Sequence, residues 1–170
     1  MTARAVVRVL VVVALALLLQ TTVVLEVRIA GQAPDVMLLI PIAAGLVAGP
    51  VEGATVGFVA GIAADLLLPT PFGLTALVGT LVGFAVGAAT GDATRHVRGF
   101  STLVAFLASA IAVMLYAVLG AVLGEGQFLH VDVVAIVAVV AVANALLAGP
   151  AVKVLRWALV TPAEHVVGRR

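Results

Sequence analysis

Cysteine is absent from this 170-residue chain, and charged residues make up only 10% of it. Without cysteine the chain can form no disulfide bond, no thiolate nucleophile and no cysteine metal site. With 64% hydrophobic residues and a mean hydropathy of +1.33, it has too little polar surface to cover a water-soluble globule. The composition therefore predicts a membrane protein, and the length suits one compact bundle with no second domain.

The residues that usually carry chemistry are few and scattered. His96, His130 and His165 lie in two different loops and the tail, and none has a ligand partner at metal spacing. Ser101 and Ser109 have no neighbouring base or orienting group. The sequence also has no glycine-rich phosphate loop with a lysine and no dense basic cluster. We therefore expect no enzymatic activity, no cofactor, no metal ion and no nucleic-acid partner.

Long apolar segments alternate with short polar loops. The first apolar segment comes after Arg4 and Arg8, an arrangement that is also typical of a signal peptide. Its apolar run is long, however, and Pro34 comes directly after the only plausible cleavage site. Both features favour an uncleaved span. We predict an all-α polytopic membrane bundle in a single domain over residues 1–170. Its six transmembrane helices are expected at approximately 9–25, 36–49, 53–68, 72–90, 101–123 and 133–152.

The second and third spans are short for a membrane crossing. At 1.5 Å per residue, residues 36–49 reach about 21 Å, against about 30 Å for a bilayer core. Pro41 is expected to interrupt the second span, and Gly149 with Pro150 to break the sixth. Spans two and three are either full crossings of a locally thinned bilayer or one re-entrant hairpin. Both alternatives return the chain to the same side.

Arginine and lysine set the expected orientation. With six crossings, Arg28 alone falls on one side, and the other eight basic residues fall on the opposite side. Cytoplasmic loops carry the excess of such residues, so we predict that both termini are cytoplasmic. The cytoplasmic group comprises Arg4, Arg8, Arg95, Arg98, Lys153, Arg156, Arg169 and Arg170.

Small residues recur every four positions in the third and fourth spans. Positions four apart stack on one face of an α-helix, so each span carries a smooth glycine face. A glycine inside a helix costs about 1 kcal/mol in water, but in lipid small residues let two backbones approach closely. We predict that this face serves either packing within the hairpin or docking of a partner. Its members are Gly53, Gly57, Gly61, Asp65, Gly79, Gly83 and Gly87.

The position of the hairpin turn predicts which residues of the two spans face each other. Folding the chain about residues 70–71 places Gly61 opposite Thr80 and Gly57 opposite Phe84. The two glycine faces could then meet each other, or one of them could face a third helix.

Three polar residues next to or inside the spans have expected partners. Asp35 is predicted to begin the second helix, because a carboxylate is favoured at a helix N-terminus. Asp65 lies near the end of the third helix, where its charge is unfavourable, so a compensating group is expected. That group is water, the hydroxyls of Thr70 and Thr75, or another subunit. Asn144 is predicted to form a hydrogen bond to another helix.

The order of these small and polar residues resembles the MreD family of rod shape-determining proteins. The resemblance is specific over residues 34–90 and covers the rest only in span count and length. It rests on a proline-aspartate pair before the second span, a small turn before the third, a glycine-rich third span that ends in Asp-Leu, and a Pro-x-Gly-Leu turn. The matching positions are Pro34, Asp35, Gly57, Gly61, Asp65 and Gly73.

The resemblance implies a non-enzymatic scaffold subunit of the bacterial cell-wall elongation complex in the plasma membrane. Such a subunit binds MreC and helps to regulate peptidoglycan synthesis, alongside MreB, RodA and a class B penicillin-binding protein. The family fold is similar to the six-helix substrate-binding subunit (S-component) of energy-coupling-factor transporters. The glycine face and Asp65 would then be bundle packing or a docking surface for MreC.

The alternative function is a substrate-binding membrane subunit of a small-molecule transporter of the energy-coupling-factor type. It would require a pocket with convergent polar groups and a groove of small residues in the first span. Between Val9 and Leu19 the only small residues are Ala14 and Ala16, which are two positions apart rather than four. This spacing counts against the transporter.

Overall fold

Helices make up the regular structure of the chain in a computed structural model, which describes residues 1–24, 34–67, 71–91, 99–124 and 133–160. Within those ranges there are six α-helices and no strands, so the predicted all-α class is confirmed. A π-helical turn, Gln20–Val24, extends the first helix. The α-helices are α1 (Ala3–Leu19), α2 (Val36–Ala48), α3 (Pro50–Asp65), α4 (Leu74–Ala89), α5 (Phe100–Val122) and α6 (Val133–Leu159).

Three helices are long and apolar enough to cross a membrane, and three are short. The long ones are Ala3–Thr22, α5 and α6. The helices α2, α3 and α4 have 13, 16 and 16 residues, or about 20–24 Å. The fourth span is predicted at approximately 72–90, and α4 begins after Gly73 and ends before Thr90, which has extended backbone. Full crossing by the second and third spans stays a prediction.

Asp35 begins α2 as predicted, and its Oδ1 accepts a hydrogen bond from the Leu38 N–H at 3.0 Å.

Two prolines lie inside helices without ending them. The helix α2 continues through Pro41 to Ala48, and α6 likewise continues through Pro150 to Leu159. The predicted interruption and break are therefore wrong. Membrane helices tolerate proline where neighbouring groups in the bundle satisfy the freed backbone carbonyl.

The helix α2 lies at the centre of the bundle. Most of its residues are buried, and its side chains belong to two apolar clusters. One cluster contains Ile40 with residues of α1, α3 and α6. The other contains Ile42 with residues of α4, α5 and α6. The other five helices therefore pack around α2.

Polar contacts join the long helices to one another. Asn144 of α6 is fully buried and donates from Nδ2 to the Ser109 Oγ of α5 at 3.0 Å, which confirms the predicted interhelical bond. Arg8 of α1 donates to the backbone carbonyl of Trp157 in α6 at 3.1 Å, and its guanidinium lies 5.0 Å from the centre of the indole ring. A cation over an indole is attracted to the ring. The first and last helices are thus joined at one end.

The buried bond between α5 and α6 gives a prediction. Ser109→Ala should lower the free energy of unfolding by about 0.6–1.7 kcal/mol, because Asn144 then loses its partner inside the bundle. Ser101→Ala, at the start of the same helix, is the control and should change it by less than about 0.5 kcal/mol. Unfolding in mixed micelles measures both. Equal effects of the two variants would contradict the assignment.

Candidate functional site

The glycine faces of α3 and α4 lie directly against each other. A methyl group added to Gly57 would overlap the Gly79 carbonyl, and one added to Gly79 would lie 2.8 Å from the Gly57 oxygen. Gly53 and Gly83 have the same reciprocal relation. No side chain stands between the two backbones, so van der Waals contact between the helices begins at the main chain.

The contact continues to both ends of the hairpin and includes α2. Gly61 packs on the backbone of Ala76, and Gly87 packs on the turn that joins α2 to α3. Gly45 of α2, which the sequence analysis missed, would place a methyl group 2.5 Å from the Gly83 carbonyl oxygen. Its four-residue spacing to Gly49 is the signal that could have revealed it. Three backbones therefore meet at one line of glycines.

The register of the hairpin differs from the predicted one. Gly57 faces Gly79 rather than Phe84, and Gly61 faces Ala76 rather than Thr80. Each residue of α3 is thus opposite a point about one helical turn nearer the start of α4. The reason is a direct link between the two helix ends, made by Asp65.

Asp65 binds the start of α4. Its carboxylate accepts hydrogen bonds from the backbone N–H groups of Gly73, Thr75 and Ala76 at 3.0–3.1 Å. The first N–H groups of a helix have no partner within it, and a negative charge is favourable there. The compensating group for Asp65 is therefore the N-terminus of α4. The hydroxyl of Thr75, expected as its partner, makes no hydrogen bond to any described residue, and Thr70 lies outside that part of the chain.

The remaining family-motif positions lie at the same end of the bundle. Gly73 has φ of 94°, a left-handed conformation that favours glycine, and it immediately precedes α4. The Pro34 carbonyl accepts from Gln20 Nε2 at 3.0 Å, while Gln20 Oε1 accepts from the Val36 N–H at 2.9 Å. Burial raises the pKa of the Asp35 carboxyl, and the N–H groups at the start of α2 oppose the rise. Gln20 was not predicted, although it is the first polar residue after the apolar run of α1.

A cavity of about 350 Å³, partly open to the surface, lies between the helices beside the glycine line. All six helices contribute to its wall, which is mostly aliphatic. Gly57, Gly61 and Gly79 lie on one side of it, and Tyr116 of α5 contributes an aromatic side chain. Among the described residues no group of three metal-ligating side chains comes together. The three histidines lie outside the described residues.

Comparison with known families identifies the chain. A family model for the rod shape-determining protein MreD matches residues 2–157. This chain belongs to the MreD family. It therefore has a role in rod shape determination, and the long apolar helices indicate a multi-pass membrane protein. Comparison with curated proteins and with solved structures gives no significant match.

The glycine line can be tested with a matched pair of alanine variants. Gly57→Ala should reduce the free energy of unfolding by about 1–3 kcal/mol, because its methyl group requires the α3 and α4 backbones to separate. Gly149→Ala in α6, where the new methyl group has open space, should be neutral or stabilising by up to about 1 kcal/mol. Thermal unfolding in detergent compares them. If the two variants have the same thermal stability, the close approach of the α3 and α4 backbones does not exist.

The role of Asp65 gives a second prediction for this site. Asp65→Asn should destabilise the protein by about 1–2 kcal/mol, since the amide nitrogen cannot accept a hydrogen bond and the charge at the start of α4 is lost. Asp65→Ala should cost more, because all three N–H groups lose their acceptor. Hydrogen exchange of the Thr75 and Ala76 amides should accelerate in both variants. Unchanged exchange would contradict the capping role.

Proposed function

We propose that this protein is a non-enzymatic membrane scaffold subunit of the cell-wall elongation complex, and that it binds MreC and helps to regulate peptidoglycan synthesis. The family match over residues 2–157 is the observation that carries the proposal. The polar side chains support it. Asp35, Asp65 and Asn144 are engaged in capping helices or joining them, which is a structural use rather than a catalytic one. Through MreC the subunit would be linked to MreB, RodA and a class B penicillin-binding protein.

The proposed orientation has both termini in the cytoplasm. Arg4 and Arg8 begin α1, and Lys153 and Arg156 lie in the last two turns of α6, so these four basic residues share one end of the bundle. An excess of lysine and arginine marks the cytoplasmic side. The opposite end, where α2, α4 and α6 begin, would then face outward; we refer to it as the Asp35 end.

The outward side of the α3–α4 hairpin is the surface we propose for MreC. The glycines themselves are covered by neighbouring backbone, so a partner has to contact other residues of this hairpin. Phe58 and Phe84 are 54% and 51% exposed, and Leu77 and Leu81 of α4 are also exposed. Both helices span about 24 Å, less than the bilayer core, and association with another helix relieves such mismatch. MreC would therefore cover this side of the hairpin.

Site-specific photo-crosslinking in the intact host tests this surface. A photoreactive amino acid at Phe58 or Phe84 should form an adduct with MreC. The control position is Ile111 on α5, which is 64% exposed and belongs to another face. Adducts at Ile111 but at neither phenylalanine would place MreC elsewhere and contradict the proposed surface.

Purification of the tagged protein from its own host tests the scaffold function itself. Mass spectrometry of the gently solubilised complex should identify MreC and wall synthases. The alternative, a substrate-binding subunit of a transporter, predicts a pair of ATPases with a coupling membrane subunit. Recovery of that set without MreC would contradict the scaffold.

A further inference from the structure

The internal cavity has a polar end and an apolar end. Gln20, Asp35 and Thr75 contribute to its wall at the Asp35 end of the bundle, close to the ends of α1, α2 and α4. Further along the helices the wall consists of side chains such as Val78, Ala112 and Val140. A volume of about 350 Å³ falls within the range of small-molecule sites, which combine apolar walls with a few polar groups. The cavity thus has the shape and polarity that fit a small amphiphile.

One polar group in this wall has no hydrogen-bond partner among the residues that the structure describes. The Thr75 hydroxyl oxygen is buried and makes no hydrogen bond, although the backbone N–H of the same residue is bound by Asp65. Both polar atoms of the Gln20 side chain are already engaged, and Asp35 accepts from the start of α2. A buried polar atom without a partner is costly, so the Thr75 hydroxyl is the group in this wall that gains most from a ligand.

The charge of the cavity wall restricts the type of head group that the ligand can carry. Of the described residues that line the cavity, Asp35 is the only Asp, Glu, Lys, Arg or His. A carboxylate or phosphate at this end of a ligand would lose its hydration and find no cationic side chain among them. A hydroxyl, amide or amine can donate or accept at the Thr75 hydroxyl without that cost.

We propose that this cavity binds a small amphiphile with an apolar body along Val78 and Val140 and an uncharged or cationic hydrogen-bonding head at Thr75. The ligand is either a membrane lipid with a polar head of this kind or a free solute. Its binding is separate from the docking of MreC, since the cavity lies inside the bundle and the proposed MreC surface is the outward side of α3 and α4.

A cavity-filling variant and its matched control test whether the space is used. Val113 lines the cavity from α5, whereas Val118 of the same helix is 52% exposed on the outside. Val113→Phe should abolish binding and Val118→Phe should leave it unchanged. The full-length proteins are placed in lipid nanodiscs, and 1-octanol, octylamine and octanoate are the probes. The first two should raise the Tm of the wild type saturably, by about 5 °C, and octanoate should not.

Thr75→Val separates ligand binding from stability. Without probe, this variant should be at least as stable as the wild type, because it removes a buried oxygen that has no partner. It should nevertheless bind 1-octanol about tenfold more weakly, since the head group loses its hydrogen bond. Undiminished stability together with weaker binding in Thr75→Val also tests the proposal if Val113→Phe does not fold. Unchanged affinity in Thr75→Val would overturn the assignment of the head group.

Native mass spectrometry of protein released from its own membrane distinguishes the two sources of ligand. An adduct on the wild type and Val118→Phe that is missing from Val113→Phe supports the proposal, and its mass separates a lipid from a smaller solute. Equal adducts and equal Tm responses in the wild type and both variants would show that alkyl chains act from outside the bundle. That result would overturn the proposal. Recovery of MreC is scored separately, so failure here leaves the scaffold function untouched.

Discussion

Direct contact between helix backbones is the constraint on which the rest of the bundle depends. In lipid no hydrophobic force drives two apolar helices together, so their association relies on how closely they approach. The glycine line of α3 and α4, with Gly45 of α2 beside it, provides that approach where a methyl group would already overlap main-chain atoms. The short central helices lie there, and the longer α1, α5 and α6 pack around them through aliphatic clusters.

Asp65 makes this contact specific. A smooth glycine face could slide by one turn with little change in packing, since its pattern repeats every four residues. The carboxylate at the end of α3 binds the first N–H groups of α4 and thereby selects one register. A charge that would be unfavourable at the end of its own helix is therefore stabilised by the beginning of the next one. Gly73 turns the chain into a position where this bond can form.

Much of the architecture could be predicted from the sequence, because apolar runs, capping aspartate and small-residue spacing are local signals. Helix number, the start of α2 and the Asn144 bond follow from them. The hairpin register could not be predicted, since it depends on which atoms Asp65 reaches in three dimensions. Pro41 and Pro150 were wrongly expected to end regular structure, because the neighbouring helices that tolerate them are not visible in the local sequence. The cavity, formed by all six helices, has no sequence signal at all.

The contact between Arg8 of α1 and Trp157 of α6 has a consequence for biogenesis. The most extensive contact of α1 with another α-helix is with α6, so α1, which is synthesised before the other five described helices, finds its main neighbour only when α6 has been made. Until then the inward side of α1, including Val9 and Val13, lacks its final packing. The membrane insertion of α1 and the completion of its packing are therefore separate events in time. The membrane holds the helices made earlier, and the arrival of α6 completes the packing of the six described helices.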